Sequence, residues 1–249
     1  MLRALEGVPE VRAGDALYDL IVAAAPEDLR GGDVLVVAHK VVSKAEGRTR
    51  RLADIEPGER ARELADSDVA RGKDPRLVQA ILDDSKAILR TGHGVLVCET
   101  HQGFVCANAG VDQSNTADPD ELIRLPEDPD RSARELRAGI GARRGVAPAV
   151  VVADSFGRAW RLGQVDVALG AAGLQALDDW RGRRDARGRE LAATVIAVAD
   201  AVAAAADLAR AKDAGAPVVL VRGLARFVTT DDGPGAAVLR RPVGEDLFR

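Results

Sequence analysis

A mixed α/β or α+β architecture, rather than a doubly wound one, is what this sequence predicts, and three observations carry that prediction. Short apolar, β-branched runs read as strands: "DVLVVA" at 33–38, "GVLVCE" at 94–99, "GFVCA" at 103–107, "AVVVA" at 149–153 and "PVVLV" at 217–221. Other stretches carry apolar residues at helical spacing, at 57–70, 75–89 and 128–140, or are rich in alanine, at 197–211. The two kinds of segment do not alternate in the strict strand–helix–strand order that a doubly wound parallel sheet requires.

Each element has its own warrant. The run at 33–38 is continuously apolar rather than alternating, which marks a strand buried on both faces. Pro57 and Pro75 suit the first turns of the helices at 57–70 and 75–89, where the missing N–H costs nothing. "GVLVCET-HQ-GFVCANA" reads as a hairpin. The aspartates of "DPDRSARELRAGI" suit the N-terminus of a helix at 128–140. "AVVVADS" is a second fully buried strand. "AVADAVAAAADLARA" is a helix on propensity, free of breakers. No repeat, low-complexity tract or flexible linker divides the chain, so residues 1–249 form a single unit, or two intimate lobes.

Composition narrows the function classes. The 249 residues are 47% hydrophobic and 30% charged, enough for a sizeable core and a solvated surface. A net charge of -4 and a pI near 5.5 argue against a general polyanion binder, so an anionic ligand must be held by a local cluster of basic groups. Aromatics at 3% argue against base-stacking platforms, and no nucleic-acid partner is expected. No signal segment opens the sequence and no apolar run is long enough to span a bilayer, so the expectation is a cytoplasmic protein with free thiols. Its two cysteines, Cys98 and Cys106, flank the hairpin turn and could approach across it, although buried packing is the favoured reading.

Several catalytic signatures are absent. There is no GxxxxGK[ST] loop, and "GIGARRG" has the wrong spacing and follows a helix, so neither a P-loop nor a dinucleotide fingerprint is present. His39, His93 and His101 lack metalloprotease spacing, and the cysteines lack zinc spacing.

Polar residues at the ends of apolar strands remain. In "VVVADSFGRAWRLGQ", Asp154 and Ser155 are expected where the strand ends, followed by Gly157, Arg158 and Arg161. A carboxylate beside a hydroxyl suits Mg²⁺ or Mn²⁺, which prefer oxygen ligands, and two arginines suit phosphate or carboxylate. An Asp-capped turn with surface arginines is the alternative. "NAGVDQSN" offers Asp112 among Asn108, Gly110, Gln113, Ser114 and Asn115, either as a second such cluster or as an Asx-turn. "VVSKAEGR" supplies Ser43 and Lys44, the latter a phosphate-binding charge or a solvated one. "DDWRGRRDARGREL" is an anion-binding loop, unless its acids pair with its own arginines. Together these are the parts of metal-assisted phosphoryl transfer without a P-loop.

Read in order, "EGVPEVRAGDAL", "VVSKAEGR", "NAGVDQSN", "ADSFGRAWRLGQVDVALG", "RGRRDARGREL", "VADAVAAAADL" and "PVVLVRG" resemble the coenzyme F420-0:L-glutamate ligase family, from about residue 5 to 223. The resemblance implies an α+β fold of two lobes, neither P-loop nor Rossmann, in a homodimer of the single-domain form without a C-terminal nitroreductase-like domain. It implies a ligase that uses GTP and a divalent metal, Mg²⁺ or Mn²⁺, with K⁺ a candidate further ion. Its substrates would be GTP, L-glutamate and F420-0, joined through an acyl phosphate first as an amide and then by γ-linkage.

Carried over by motif, Asp112, Asp154 and Ser155 resemble metal ligands. Val8, Pro9, Glu10, Val11, His39, Lys40, Lys44 and Asn115 resemble nucleotide contacts. Asp112, Asp154 and Lys44 become the expected catalytic residues, while Arg158 and Arg161 are assigned to substrate anions from charge and position. His39 and Lys40 stand where relatives often carry small hydroxyl residues. A further acidic or amide metal ligand is implied before the last strand, where this chain has Lys212 and Asp213, and that ligand stays unassigned. A metal-dependent phosphohydrolase, a non-catalytic nucleotide-binding protein and a ligase for another acceptor are the rival readings.

Overall fold

The structure, a computed structural model, describes residues 1–70, 72–116 and 118–247. The chain opens with β1 (Leu2–Leu5), α1 (Leu17–Ala24), β2 (Val34–Ala38) and α2 (His39–Ala45). There follow β3 (Thr49–Arg51), α3 (Glu59–Asp66), α4 (Pro75–Asp83), β4 (Ser85–Gly92), β5 (Val95–Thr100), β6 (Val105–Ala107) and β7 (Glu121–Ile123). The remainder holds α5 (Pro129–Arg144), β8 (Ala149–Arg158), β9 (Arg161–Ala172), β10 (Leu177–Asp179), β11 (Val195–Ala197), α6 (Val198–Asp207) and β12 (Val218–Val221).

The fold is mixed α+β, as expected. Its centre is a five-stranded sheet in the order β1-β12-β2-β8-β9. Only β2 and β8 are parallel within it, ending on the pair Ala38 and Ala153, and the other neighbours are antiparallel. The side-chain period of a strand sorts the core into two layers. Val34, Val36, Val151 and Val219 face α6, whose Val198, Val202 and Ala203 are buried against them. Leu35, Val37, Val150 and Val152 face the other way, onto Ile21 of α1 and Leu136 and Ile140 of α5. Both faces are covered, which is why these strands read as continuously apolar.

Residues 49–123 build a separate core from two small sheets, β3-β7 and β4-β5-β6, with α3 and α4. Leu64, Val78, Ile81, Leu96 and Leu122 are its buried centre. The predicted hairpin is present as β5 and β6, with Cys98 directly opposite Cys106 and both thiols buried and free. Phe104, Cys106, Leu125 and Leu169 join this region to β9.

The boundaries differ from the sequence expectation in instructive ways. The helix predicted over 75–89 stops at Asp83, and Ser85 begins a strand instead. The Ser85 hydroxyl donates to the Ile81 carbonyl at 2.5 Å, while Asp84 is drawn into a two-pronged ion pair with Arg124. Those bonds end the last turn, and pairing with β5 supplies the new partners. Pro75 does occupy the first turn of α4, behind the Asp74 cap, whereas Pro57 lies outside α3, which Gly58 caps.

The run at 149–153 continues to Arg158, so Asp154 and Ser155 lie inside β8 rather than past its end. What ends there is the parallel partner β2. Gly170 of β9 allows the start of α5 to rest directly on the strand: a Cβ there would overlap the Pro129 carbonyl and sit 2.7 Å from the Asp130 nitrogen. Among the described residues, no helix is long and apolar enough to cross a membrane.

Candidate active site

The candidate site forms where the parallel pair stops. Immediately beyond Ala38 and Ala153, β2 turns into α2 with His39 first, and β8 carries Asp154. The carboxyl ends of parallel strands leave an open crevice in such sheets. Here that crevice is a cleft of about 980 Å³, walled by stretches of chain at 8–11, 38–44, 107–116, 153–155 and 210–217, with Gln164.

His39 is buried, with Nε2 3.3 Å from Asp154 Oδ1 and Nδ1 3.4 Å from the Ser43 hydroxyl. Burial works to raise the Asp154 carboxyl. The His39 imidazole, the Ser155 N–H and the nearby Lys40 outweigh it and hold the group below the usual carboxylate range.

Lys40, one residue on, reaches across to the "NAGVDQSN" loop. Asn108, Ala109 and Gly110 all take positive φ and turn the chain sharply after β6, with the Asn108 side chain spent on the Leu96 N–H at 3.2 Å. Asp112 is then fixed by two backbone bonds to Ile123. Its carboxylate accepts the Ser114 N–H at 2.8 Å and the Ser114 hydroxyl at 2.9 Å, which is an Asx-turn, and also meets Lys40 Nζ at 2.7 Å. The Asx-turn reading of this loop is thus met, and the same carboxylate lines the cleft. Burial pushes the Asp112 carboxyl up, but Lys40 and the Ser114 donors bring it below its ordinary value.

Lys44, buried on the next turn of α2, donates to Glu10 at 2.5 Å and to the Asn115 carbonyl at 2.9 Å. It ties the N-terminal segment Val8, Pro9, Glu10 and Val11 to the loop, and all of these residues line the cleft. On the other wall, the Ser155 hydroxyl donates to Asp166 Oδ1 at 2.6 Å across the β8–β9 register and lies 2.5 Å from Lys212 Nζ. Asp166 is fully buried, and its second oxygen is taken by Arg210.

The expected metal ligands Asp112, Asp154 and Ser155 therefore share one cleft with the expected nucleotide contacts Val8, Pro9, Glu10, Val11, His39, Lys40, Lys44 and Asn115. Arg158 and Arg161 are not brought to it. They stand exposed at the tip of the β8–β9 hairpin, where Arg158 donates to the Leu162 carbonyl at 2.7 Å. The arginine-rich loop between β10 and β11 also lies off the cleft, and its acids are spent locally: Asp179 on Arg181 at 2.6 Å, Asp178 on Trp180 at 2.7 Å, Asp185 on backbone N–H groups.

Asp166, Arg210 and Gln164 are cleft or near-cleft residues that sequence reasoning passed over. The sequence points the wrong way for Asp166, since the regular polar–apolar alternation of "QVDV" places it outward, whereas it is fully buried.

The donor chemistry fits a hard divalent cation. Two carboxylates held in their charged form and a hydroxyl line the same cleft, from its two walls, and no cluster of three or more His, Cys, Asp or Glu is gathered among the described residues. Mg²⁺ is commonly held in this manner, by one or two carboxylates with the rest of its shell from phosphate and water.

A sequence model of the F420-0:Gamma-glutamyl ligase family matches residues 7–223. The chain belongs to that family. Among its relatives, a coenzyme F420:L-glutamate ligase of Methanopyrus kandleri is 47% identical, over 98% of this chain and 97% of its own length. Another, from Methanothermobacter thermautotrophicus, is 44% identical over 100% of this chain and 98% of its own length. A third, from Haloarcula marismortui, is 49% identical over 99% and 94%. The family match spans every cleft wall described above, from Val8 to Pro217.

Proposed function

We propose that the chain is a ligase that joins L-glutamate to the deazaflavin coenzyme precursor F420-0, and then by γ-linkage to F420-1, with GTP as the energy source. Family membership and the names borne by the relatives support glutamate ligation. The observation that carries the finer reading is the single cleft in which Glu10, Lys40, Lys44, Asp112, Asp154 and Ser155 meet. In this reading the β3–β7 region and the central sheet act as two lobes about the groove, and the protein works as a cytoplasmic homodimer.

A carboxylate does not condense with an amine near neutral pH, because oxide is a poor leaving group. The acceptor carboxylate oxygen therefore takes the γ-phosphoryl group of GTP, releasing GDP and leaving an acyl phosphate. The amine nitrogen of glutamate attacks the carbonyl carbon, the carbon–oxygen bond to phosphate breaks, and the amine sheds a proton as the amide forms. Lys40 and Lys44 supply positive charge where phosphoryl oxygens collect. His39 holds the Asp154 carboxylate in place from behind. A divalent ion, Mg²⁺ or Mn²⁺, held by Asp112, Asp154 and Ser155, would neutralise phosphate charge when bound. Glu10 and Asn115 keep Lys44 aimed into the groove.

The test is phosphate release from GTP with Mg²⁺ or Mn²⁺, with F420-0 and L-glutamate each added or withheld, and products weighed. Release that requires both, with a product heavier by glutamate residues, is the expected result. Release in the absence of both would instead make the protein a phosphohydrolase.

A further inference from the structure

The hydrogen inventory around Ser155 is unusually restrictive. Its hydroxyl has one hydrogen, and Asp166, an acceptor already paired with Arg210, takes it at 2.6 Å. The Ser155 oxygen therefore turns its lone pairs toward the cleft and can only accept or ligate there. The group that meets it is the Lys212 ammonium at 2.5 Å, a pure donor. Lys212 Nζ is also 3.2 Å from Asp207 and 3.7 Å from Asp166 Oδ1, so three oxygens surround it. It reaches them from the segment between α6 and β12, with 64% of its side chain exposed and free to swing away.

We propose that Lys212 is a resident cation of this site: its ammonium occupies the Ser155 oxygen when no metal is bound and must leave before a divalent ion can use that oxygen. Asp166 is the positioning residue that makes Ser155 an obligatory cation acceptor, and Asp207 gives Lys212 a second anchor. The inference rests on the reading of Ser155 as a cation ligand given above. It adds a competitor built into the chain, which keeps Ser155 and Asp166 neutralised in the metal-free protein and weakens the site toward a divalent ion until substrates arrive.

The experiment is Mn²⁺ binding, followed by the electron paramagnetic resonance of the free ion, to the full chain without nucleotide. Wild type, Lys212→Met, Ser155→Ala and the double variant are compared, with melting curves to verify folding. Removing an ammonium that competes at contact distance should tighten Mn²⁺ binding by about three- to tenfold, and the gain should vanish in the Ser155→Ala background. Equal or weaker binding by Lys212→Met, or no binding by either protein, overturns the proposal. So does a gain of the same size with and without Ser155, which would reduce Lys212 to a distant field. If the expected cycle is found but no glutamylated product forms, the competition stands and only the ligase reading falls.

Discussion

His39 and Asp154 meet at 3.3 Å just beyond the point where the parallel pairing of the central sheet ends. One is the first residue of a helix and the other lies midway along a strand, so two kinds of backbone fix a single contact. A partner that only orients a ligand-bearing carboxylate is commonly worth about 10- to 100-fold in activity. His39→Ala should lower ligation turnover by roughly that factor, and His39→Gln, which keeps a donor, should recover part of it. Unchanged turnover in His39→Ala would remove the contact from the chemistry.

Asp112 and Lys44 should separate binding from turnover. Asp112→Ala removes a half-exposed carboxylate at the end of a loop and should abolish ligation while leaving the melting curve near that of wild type. Lys44→Ala should chiefly raise the GTP concentration needed for half-maximal rate. Steady-state kinetics with GTP varied decide the second, and a wild-type KM for GTP in that variant would exclude Lys44 from the nucleotide site.

Gly170 is required by close approach rather than by backbone angle. Gly170→Ala places a methyl group against the Pro129 carbonyl, so α5 must move off β9 and strain the Asp130 bonds to Ala171, Ala236 and Ala237. Overpacking of this kind costs about 1–3 kcal/mol or more, read as a lower denaturation midpoint in urea. Ile140→Ala, which empties a fully buried position on the inner face of the same helix, should cost about 2–5 kcal/mol.

Two aspartates should respond to pH with opposite sign. Burial raises the Asp200 carboxyl, only partly offset by the Ala168 N–H, so its contribution to stability is full in acid and lost as pH rises through its folded value. Asp200→Asn should therefore gain on wild type as pH climbs from about 3 toward 7, in paired unfolding curves. Asp154 is depressed despite its burial, so its contribution is present above the ordinary value of 3.8 and lost as pH falls through the folded one. Asp154→Asn should lose ground over the same climb, and parallel behaviour of the two variants would contradict this assignment.

The elements legible in the sequence were those whose burial is uniform. Valines 34, 36 and 37 and the run at 149–153 are covered on both faces, and a continuous apolar pattern announces that directly. The site loop was legible because "NAGVDQSN" concentrates residues that tolerate positive φ around one acid. The long strand β9 was not, since its first half is exposed and polar and its second half is small and glycine-containing. Nor was the switch from helix to strand at Ser85, which depends on Arg124, forty residues away. The network of Asp166, Arg210 and Lys212 was hidden for a similar reason: each side chain is ordinary alone, and only the β8–β9 register and the turn after α6 bring them together.

The pairing of β1 with β12 sets the order in which the molecule can be made. The Met1 ammonium bonds the Arg222 carbonyl at 3.0 Å, 221 positions away along the chain, and β2 waits for both β8 and β12 before it has neighbours. On the ribosome, residues 49–123 have their own core and partners long before the central sheet can close. Loop closure over such separations slows folding, and Val34–Val37 would meanwhile remain without the strands that flank them. Refolding should therefore be biphasic, with the β4–β5–β6 hairpins protected against hydrogen exchange early and the sheet strands late.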